Sequence, residues 1–172
     1  MDAYDCIRTK LDVRDFQPDK NVLADVKLQI LESARLTGSA MNSQHWRFIL
    51  VQKREHLKTL AEDSTTGDWV KNANFAVVVL TEEKQGFQLI DAGRVLQDMQ
   101  LTAWNNGVVS CIFTGFNQTA IRRDFAIPNN LKASVAIGFG YSARKFTGRR
   151  KNRKRLTELV SVETYGKPFE KP

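Results

Sequence analysis

Two amide side chains, Asn42 and Gln44, stand two residues apart between a helical stretch and an apolar run, and they are the first groups in the chain whose spacing could do chemistry. They belong to Ser39-Ala40-Met41-Asn42-Ser43-Gln44-His45-Trp46, where small polar groups occupy positions a core would give to aliphatics. Residues two apart on an extended segment face the same side. Each amide offers both donors and an acceptor, which suits a planar ligand with several polar atoms. A second reading is a helix-to-strand turn whose Asn, Ser and Gln satisfy nearby backbone. Spacing alone leaves both open.

The second candidate is electrostatic. The chain carries net charge +7, yet residues 144–155 alone hold eight Lys and Arg and no acid, so the remainder comes to −1. This is a near-neutral protein with one basic segment. Such a run can be a solvated loop, a nucleic-acid patch, or a set of cations holding a ligand phosphate. Phe146 is its single aromatic residue, so stacking of single-stranded bases has little support. A His/Cys metal site is not expected from His45, His56, Cys6 and Cys111, which lack ligand spacing. Both thiols are expected to be free and buried, as in a reducing cytoplasm. There is no apolar run of membrane-spanning length, and the acidic and basic N-terminus does not read as a signal peptide. Gly138-Phe139-Gly140-Tyr141-Ser142-Ala143 matches a dinucleotide fingerprint, but a basic loop follows it instead of a helix and a further strand, so no Rossmann unit is expected.

The elements that must position these groups follow from periodicity. A short helix is expected over 2–10. A second should start at Pro18 and Asp19, with Val22, Val26, Ile30, Leu31 and Ala34 on one face. Strands are expected at 48–51, 75–80, 108–113 and 134–139, the second a continuous apolar run that should be buried on both faces. Helices are expected at 55–63, 91–106 and 118–126, with Gly107 closing the long one. Leu156, Leu159, Val160, Val162, Tyr165 and Phe169 are too apolar for a solvated tail and too sparse for a core of their own. A disordered tail is one reading, and an arm wrapped on a partner subunit accounts for the apolar residues better.

The order of motifs resembles the nitroreductase family of flavin enzymes. Residues 38–46 are similar to the family's P-S-x-x-N-x-Q-P-W segment. Lys10-Leu11-Asp12-Val13-Arg14-Asp15-Phe16 resembles its N-terminal R-R-S-x-R-x-F phosphate motif. Asp91-Ala92-Gly93 resembles the start of its central helix, Val135 to Tyr141 its last core strand, and Lys151-Asn152-Arg153 its C-terminal K-x-R. The resemblance covers nearly the whole chain. It implies an α+β fold, a central and mostly antiparallel sheet of four to five strands between helices. It implies one domain over 1–172, an intertwined homodimer, and 156–172 as an arm on the partner subunit.

The resemblance also implies a cofactor and roles. FMN would have its phosphate held by Lys10, Lys151 and Arg153. Arg14 would face the N1/O2 edge of the ring, where a cation raises the reduction potential. Ser39, Asn42 and Gln44 would meet ribityl and ring polar atoms from the other subunit. The backbone of Thr114 and Gly115 would lie near N5 and O4, with glycine permitting close approach. No side-chain acid or base is required. The implied activity is hydride transfer from NAD(P)H through FMN to an electron-poor acceptor such as a nitroaromatic or quinone, in the cytoplasm. Alternatives are a family member with different chemistry (flavin fragmentation or no turnover) and a nucleic-acid-binding module using 144–155. The chain departs from the pattern at Leu11, Asp12, Gly38 and His45. Asp12 beside a phosphate is unfavourable, so it is expected to turn to ribityl hydroxyls or a neighbouring cation. The stretch between Leu80 and Asp91 is short, which implies an open ring face.

Overall fold

Strand β2 (Phe75–Glu82) organises the molecule because both of its faces are apolar and both are covered. Phe75, Val77 and Val79 pack with Ile30, Ala34, Val95 and Met99, all fully buried, of helices α2 (Ala24–Leu36) and α4 (Phe87–Asn105). Ala76, Val78 and Leu80 pack on the opposite side with Leu57, Leu60, Val70 and Ile121. These come from α3 (Arg54–Glu62), a 3-10 turn at Asp68–Asn72, and α5 (Gln118–Asp124). Each such side chain contributes roughly 1.5–3 kcal/mol by leaving water, so two apolar layers over one strand dominate the stability.

The sheet has four strands in the order β1-β2-β4-β3, and every neighbouring pair is antiparallel. β1 (Arg47–Val51) and β3 (Val109–Phe113) are therefore its two edges, and β4 (Leu131–Gly140) lies inside. A register shift pairs Val79 with Val135 but Leu80 with Ala133, leaving Ser134 as an extra residue. That bulge turns Ala133 to the same side as Ala136. The expected α+β architecture is thus observed, with four strands and a wholly antiparallel sheet. The free edge of β3 takes up the segment after α1 (Ala3–Thr9), through an isolated parallel bridge of Asp12 with Ser110 and a 2.9 Å bond from Val13 N–H to Ser110 O.

The computed structural model describes residues 1–82, 86–145 and 151–170. Phe146, Arg149 and Arg150 of the basic segment, and part of the short stretch before α4, lie outside the described residues. No helix among the described residues is long and apolar enough to cross a membrane. Cys6 and Cys111 are free and buried. Residues 151–170 form a largely exposed arm with one 3-10 turn at Leu156–Glu158 and a local bridge of Ser161 with Pro168. Lys151 Nζ ties the start of the arm to Ile7 O at 2.5 Å.

Two expectations are corrected. The second helix begins at Ala24 and not at Pro18, because residues 17–22 are recruited as backbone partners: Gln17 N–H bonds Tyr141 O, and Val22 N–H bonds the buried Asn74 Oδ1. Helix α4 begins at Phe87, four residues before Asp91.

Candidate functional site

On the β3 edge, the end of α1 delivers Lys10 and the bridge to Ser110 fixes Asp12. Lys10 Nζ donates to Asp12 Oδ1 and to Gln100 Oε1 of α4, each at 2.9 Å. Gln100 Nε2 returns bonds to Asp12 Oδ1 at 2.8 Å and Ser110 Oγ at 3.1 Å. Asp12 has thus turned to a neighbouring cation, one of its two expected choices. Partial burial pushes its carboxyl up, but the bonds from Lys10 and Gln100 and the charges of Lys10 and Lys151 outweigh this and hold it below the usual range. Lys151 belongs to the same group. Its ammonium is pushed below the ordinary lysine range by burial first, then by the charges of Arg153 and Lys10, with Asp12 opposing. Arg153 itself is exposed. Three cations thus lie near one another, with Asp12 offsetting part of their mutual repulsion.

Arg14 continues along the edge. Its Nε lies 3.4 Å from Cys111 Sγ and its guanidinium 5.8 Å from the centre of the Trp69 ring. Asp12, Val13, Arg14, Asp15, Cys111, Ser142 and Arg144 line an open cleft of about 490 Å³, and an Arg144–Asp15 ion pair of 2.7 Å closes one side of it. Thr114 and Gly115 follow directly on β3, with Thr114 exposed. The glycine also meets a packing need of this edge. Gly115 O accepts Thr65 N–H at 2.9 Å, and a Cβ there would run into the Thr65 hydroxyl. The polar break at 64–67 is therefore part of this edge. Gln100 was missed by sequence reasoning; its signal is a polar residue on the buried face of α4, 4% exposed.

Ser39, Asn42 and Gln44 lie elsewhere. The segment is not extended: residues Ala40–Asn42 form a 3-10 turn, and Met41, Asn42 and Gln44 have φ of +52°, +51° and +45°. The tight turn, and not alternation on a strand, brings the amides together, with Gln44 Nε2 donating to Asn42 Oδ1 at 3.2 Å. Ser39 Oγ accepts Gln44 N–H at 2.9 Å. Asp91, in the second turn of α4, receives Ala40 N–H at 2.9 Å and faces His45 Nε2 at 3.3 Å, both on Oδ2, while Arg94 approaches Oδ1 at 3.4 Å. Burial would push the Asp91 carboxyl up, but these donors outweigh it and hold it below the usual carboxylate range.

The structure therefore brings Lys10, Asp12, Arg14, Lys151 and Arg153 to the β3 edge, where Asp12 lies against Ser110 near the start of the strand and Thr114 and Gly115 follow its end. It leaves Ser39, Asn42 and Gln44 at the other. Three strand spacings separate β1 from β3, about 14 Å at the usual interval. Along α4, Asp91 and Gln100 are also roughly 14 Å apart at the helical rise. Within one chain the two sets do not meet. Among the described residues no cluster of His, Cys, Asp or Glu could hold a metal ion.

Comparison with known proteins agrees with this architecture. The Nitroreductase family description matches residues 7–67 and 60–141. A Methanothermobacter thermautotrophicus protein provisionally named NADH dehydrogenase/NAD(P)H nitroreductase is 31% identical over 152 residues, covering 83% of this chain and 78% of its own. An Archaeoglobus fulgidus protein with the same provisional name is 29% identical over 145 residues, 78% of this chain and 82% of its own. Among solved structures, an FMN-dependent nitroreductase of Clostridium difficile R20291 superposes with a TM-score of 0.84 at 24% identity, over 93% of this chain and 98% of that one. A Streptococcus pneumoniae TIGR4 nitroreductase family protein gives 0.82 at 18% identity, over 94% of this chain and 100% of that one. In sequence over most of its length, and in fold, the chain is a member of the nitroreductase family.

Proposed function

We propose that the protein is an FMN-dependent oxidoreductase that works as a homodimer and passes reducing equivalents from NAD(P)H to an electron-poor acceptor such as a nitroaromatic or quinone. The observation that carries the reading is the cation cluster: Lys10 and Arg153 lie near enough to Lys151 for their charges to add to burial in lowering its ammonium pKa. A terminal phosphate dianion relieves that repulsion, and the donor set fits one. Bound FMN supplies the redox chemistry, accepting a hydride and delivering it onward.

The chain's own groups then bind, orient and bias. Lys151 and Arg153 hold the phosphate. Lys10 joins them while its bond to Asp12 offsets the charge of that carboxylate. Arg14, braced by Cys111 and Trp69, offers positive charge to the N1/O2 edge. Ser39, Asn42 and Gln44 serve the site of the partner subunit, because their own chain keeps them a sheet-width away from Lys10 and Arg14. The unpartnered apolar surface supports that assembly. Met41, Leu89 and Ile90 are 84%, 56% and 68% exposed around the amide loop, and Leu159 is 65% exposed on the arm. The arm at 156–172 then belongs on the partner, within one domain spanning 1–172. The test is a visible spectrum of the purified protein, an FMN titration followed by fluorescence quenching, and anaerobic bleaching by NADH and NADPH. A colourless protein that quenches no FMN fluorescence overturns the proposal.

A further inference from the structure

The loop that carries Asn42 and Gln44 is bent against backbone preference. Three of its non-glycine residues, Met41, Asn42 and Gln44, occupy the left-handed region, which side chains seldom adopt. Such a shape persists only where its surroundings over-determine it. Several of its bonds are internal: Asn42 N–H to Ser39 O and Ser43 N–H to Ala40 O, both 3.0 Å, and Gln44 N–H to Ser39 Oγ, 2.9 Å. Internal bonds move with the loop and do not fix it to the scaffold. Beside the packing of His45 on Phe87 and of Trp46 in the core, the hydrogen-bonded attachment to α4 is Asp91, 3% exposed. One carboxylate oxygen receives both Ala40 N–H, where the loop begins, and His45 Nε2, where it ends.

His45 is an unusual choice for that place. Its side chain is 6% exposed, wedged between Trp46 at 5.4 Å and Phe87 at 6.1 Å between ring centres. Its Nδ1 is buried with no hydrogen-bond partner among the described residues, while Nε2 faces a carboxylate oxygen of Asp91, which can only accept, and is therefore the donor of that contact. A bare buried nitrogen is a cost that an apolar side chain of similar shape avoids. What the imidazole adds in return is the bond to Asp91. The charged group that faces it is Asp91 of α4, whose other oxygen is approached by Arg94, while Arg47 turns to the Gln44 and Trp46 carbonyls.

We propose that His45 and Asp91 are positioning residues: together they clamp both ends of the 40–45 loop to α4 and so preset the Asn42 and Gln44 amides for the flavin of the partner subunit. This rests on the FMN reading above. Where the family motif carries proline before the tryptophan, this chain achieves the restraint with a side chain.

The test uses the full-length protein and two variants. His45→Leu removes the bond and keeps an apolar filling. Asp91→Asn is nearly isosteric but must turn an NH2 group toward one of the donors that now share the carboxylate, so it carries the test if His45→Leu does not fold. Amide hydrogen exchange of Ala40, Asn42, Ser43 and Gln44 is measured without flavin, and FMN affinity and dissociation rate are measured separately. Both variants should speed exchange of these four amides and weaken FMN about tenfold, the loss expected of one charge-assisted hydrogen bond. His45→Gln, which can still donate to Asp91, should restore both. Asn42→Ala, a contact and not a clamp, should weaken FMN and leave exchange at Ala40 unchanged. Unaltered loop exchange in His45→Leu and Asp91→Asn, or no rescue by His45→Gln, overturns the proposal. A wild-type protein that binds no FMN overturns the functional reading instead, and the exchange measurement still decides the clamp.

Discussion

Replacing Lys151 by alanine separates holding an anion from holding the fold. In the free protein its ammonium is a disfavoured charge, lowered in pKa by burial, Arg153 and Lys10. The bond to Ile7 O lies in an exposed setting, where such contacts contribute about 0–1 kcal/mol. Lys151→Ala should therefore leave the melting temperature of the flavin-free protein unchanged or slightly raised. Toward FMN the sign reverses. Losing one charge-assisted bond to phosphate costs about 1.5–3 kcal/mol, roughly a ten- to 150-fold rise in Kd. Riboflavin, which lacks the phosphate, is the internal control: its affinity should not change. Titrations with both flavins at two salt concentrations complete the assay, because screening should weaken FMN binding more than riboflavin binding. Arg153→Ala should behave like Lys151→Ala, whereas Arg14→Ala, at the ring edge, should weaken both flavins. If Lys151→Ala weakens FMN and riboflavin equally, or lowers the melting temperature while FMN affinity stays the same, the cation cluster is not the phosphate site.

Three further outcomes are expected. Sedimentation should show a dimer, and deleting residues 161–172 should lower its stability and release flavin; a stable monomer that retains flavin contradicts the shared site. Because the folded pKa of Asp91 lies below its unfolded value of about 3.9, the stability it contributes is complete above that value and is lost as pH falls through the lower folded one. Asp91→Asn should accordingly flatten the acid limb of a melting-temperature profile, and an unchanged limb removes Asp91 as a source of acid sensitivity. Gly115→Ala should destabilise by about 1–3 kcal/mol in chemical denaturation, the range for overpacking, since its methyl meets the Thr65 hydroxyl; a neutral result means the 64–67 loop yields freely.

Burial on two faces is what makes parts of this fold readable. Residues 75–80 form an unbroken apolar run because α2 and α4 cover one face of β2 while α3 and α5 cover the other, and no alternative element suits such a run between polar breaks. The long helix was equally clear from Val95, Leu96, Met99 and Ala103, though its start was not, since Phe87 and Gln88 carry no capping signal. Pro18 and Asp19 carry a helix-start signal and begin no helix. Their backbone is used elsewhere, with Pro18 O taken by Arg54 at 2.9 Å, a partner 36 residues away that periodicity does not register. Tertiary demand overrides local preference there.

The shape of the 39–46 segment was misread from its residues. Asn42 and Gln44 alternate like strand residues, and nothing in Met41 announces a left-handed turn; the reason for the turn is Asp91, far along the chain on α4. Nor can a period of two or of 3.6 say which subunit a side chain serves. In one chain, Asn42 and Gln44 bond each other at 3.2 Å and are exposed, as a pair of surface amides would be. The neighbours argue otherwise. Met41, Leu89 and Ile90 surround them with more apolar surface than a solvated turn needs, while Lys10, Asp12, Arg14, Lys151 and Arg153 collect at the far edge of the same sheet. In the proposed dimer each copy would give its amide loop to the other's cations, so that two sets of residues on opposite edges of one sheet would complete each other, and pairing would then belong to the proposed chemistry and not be an addition to it.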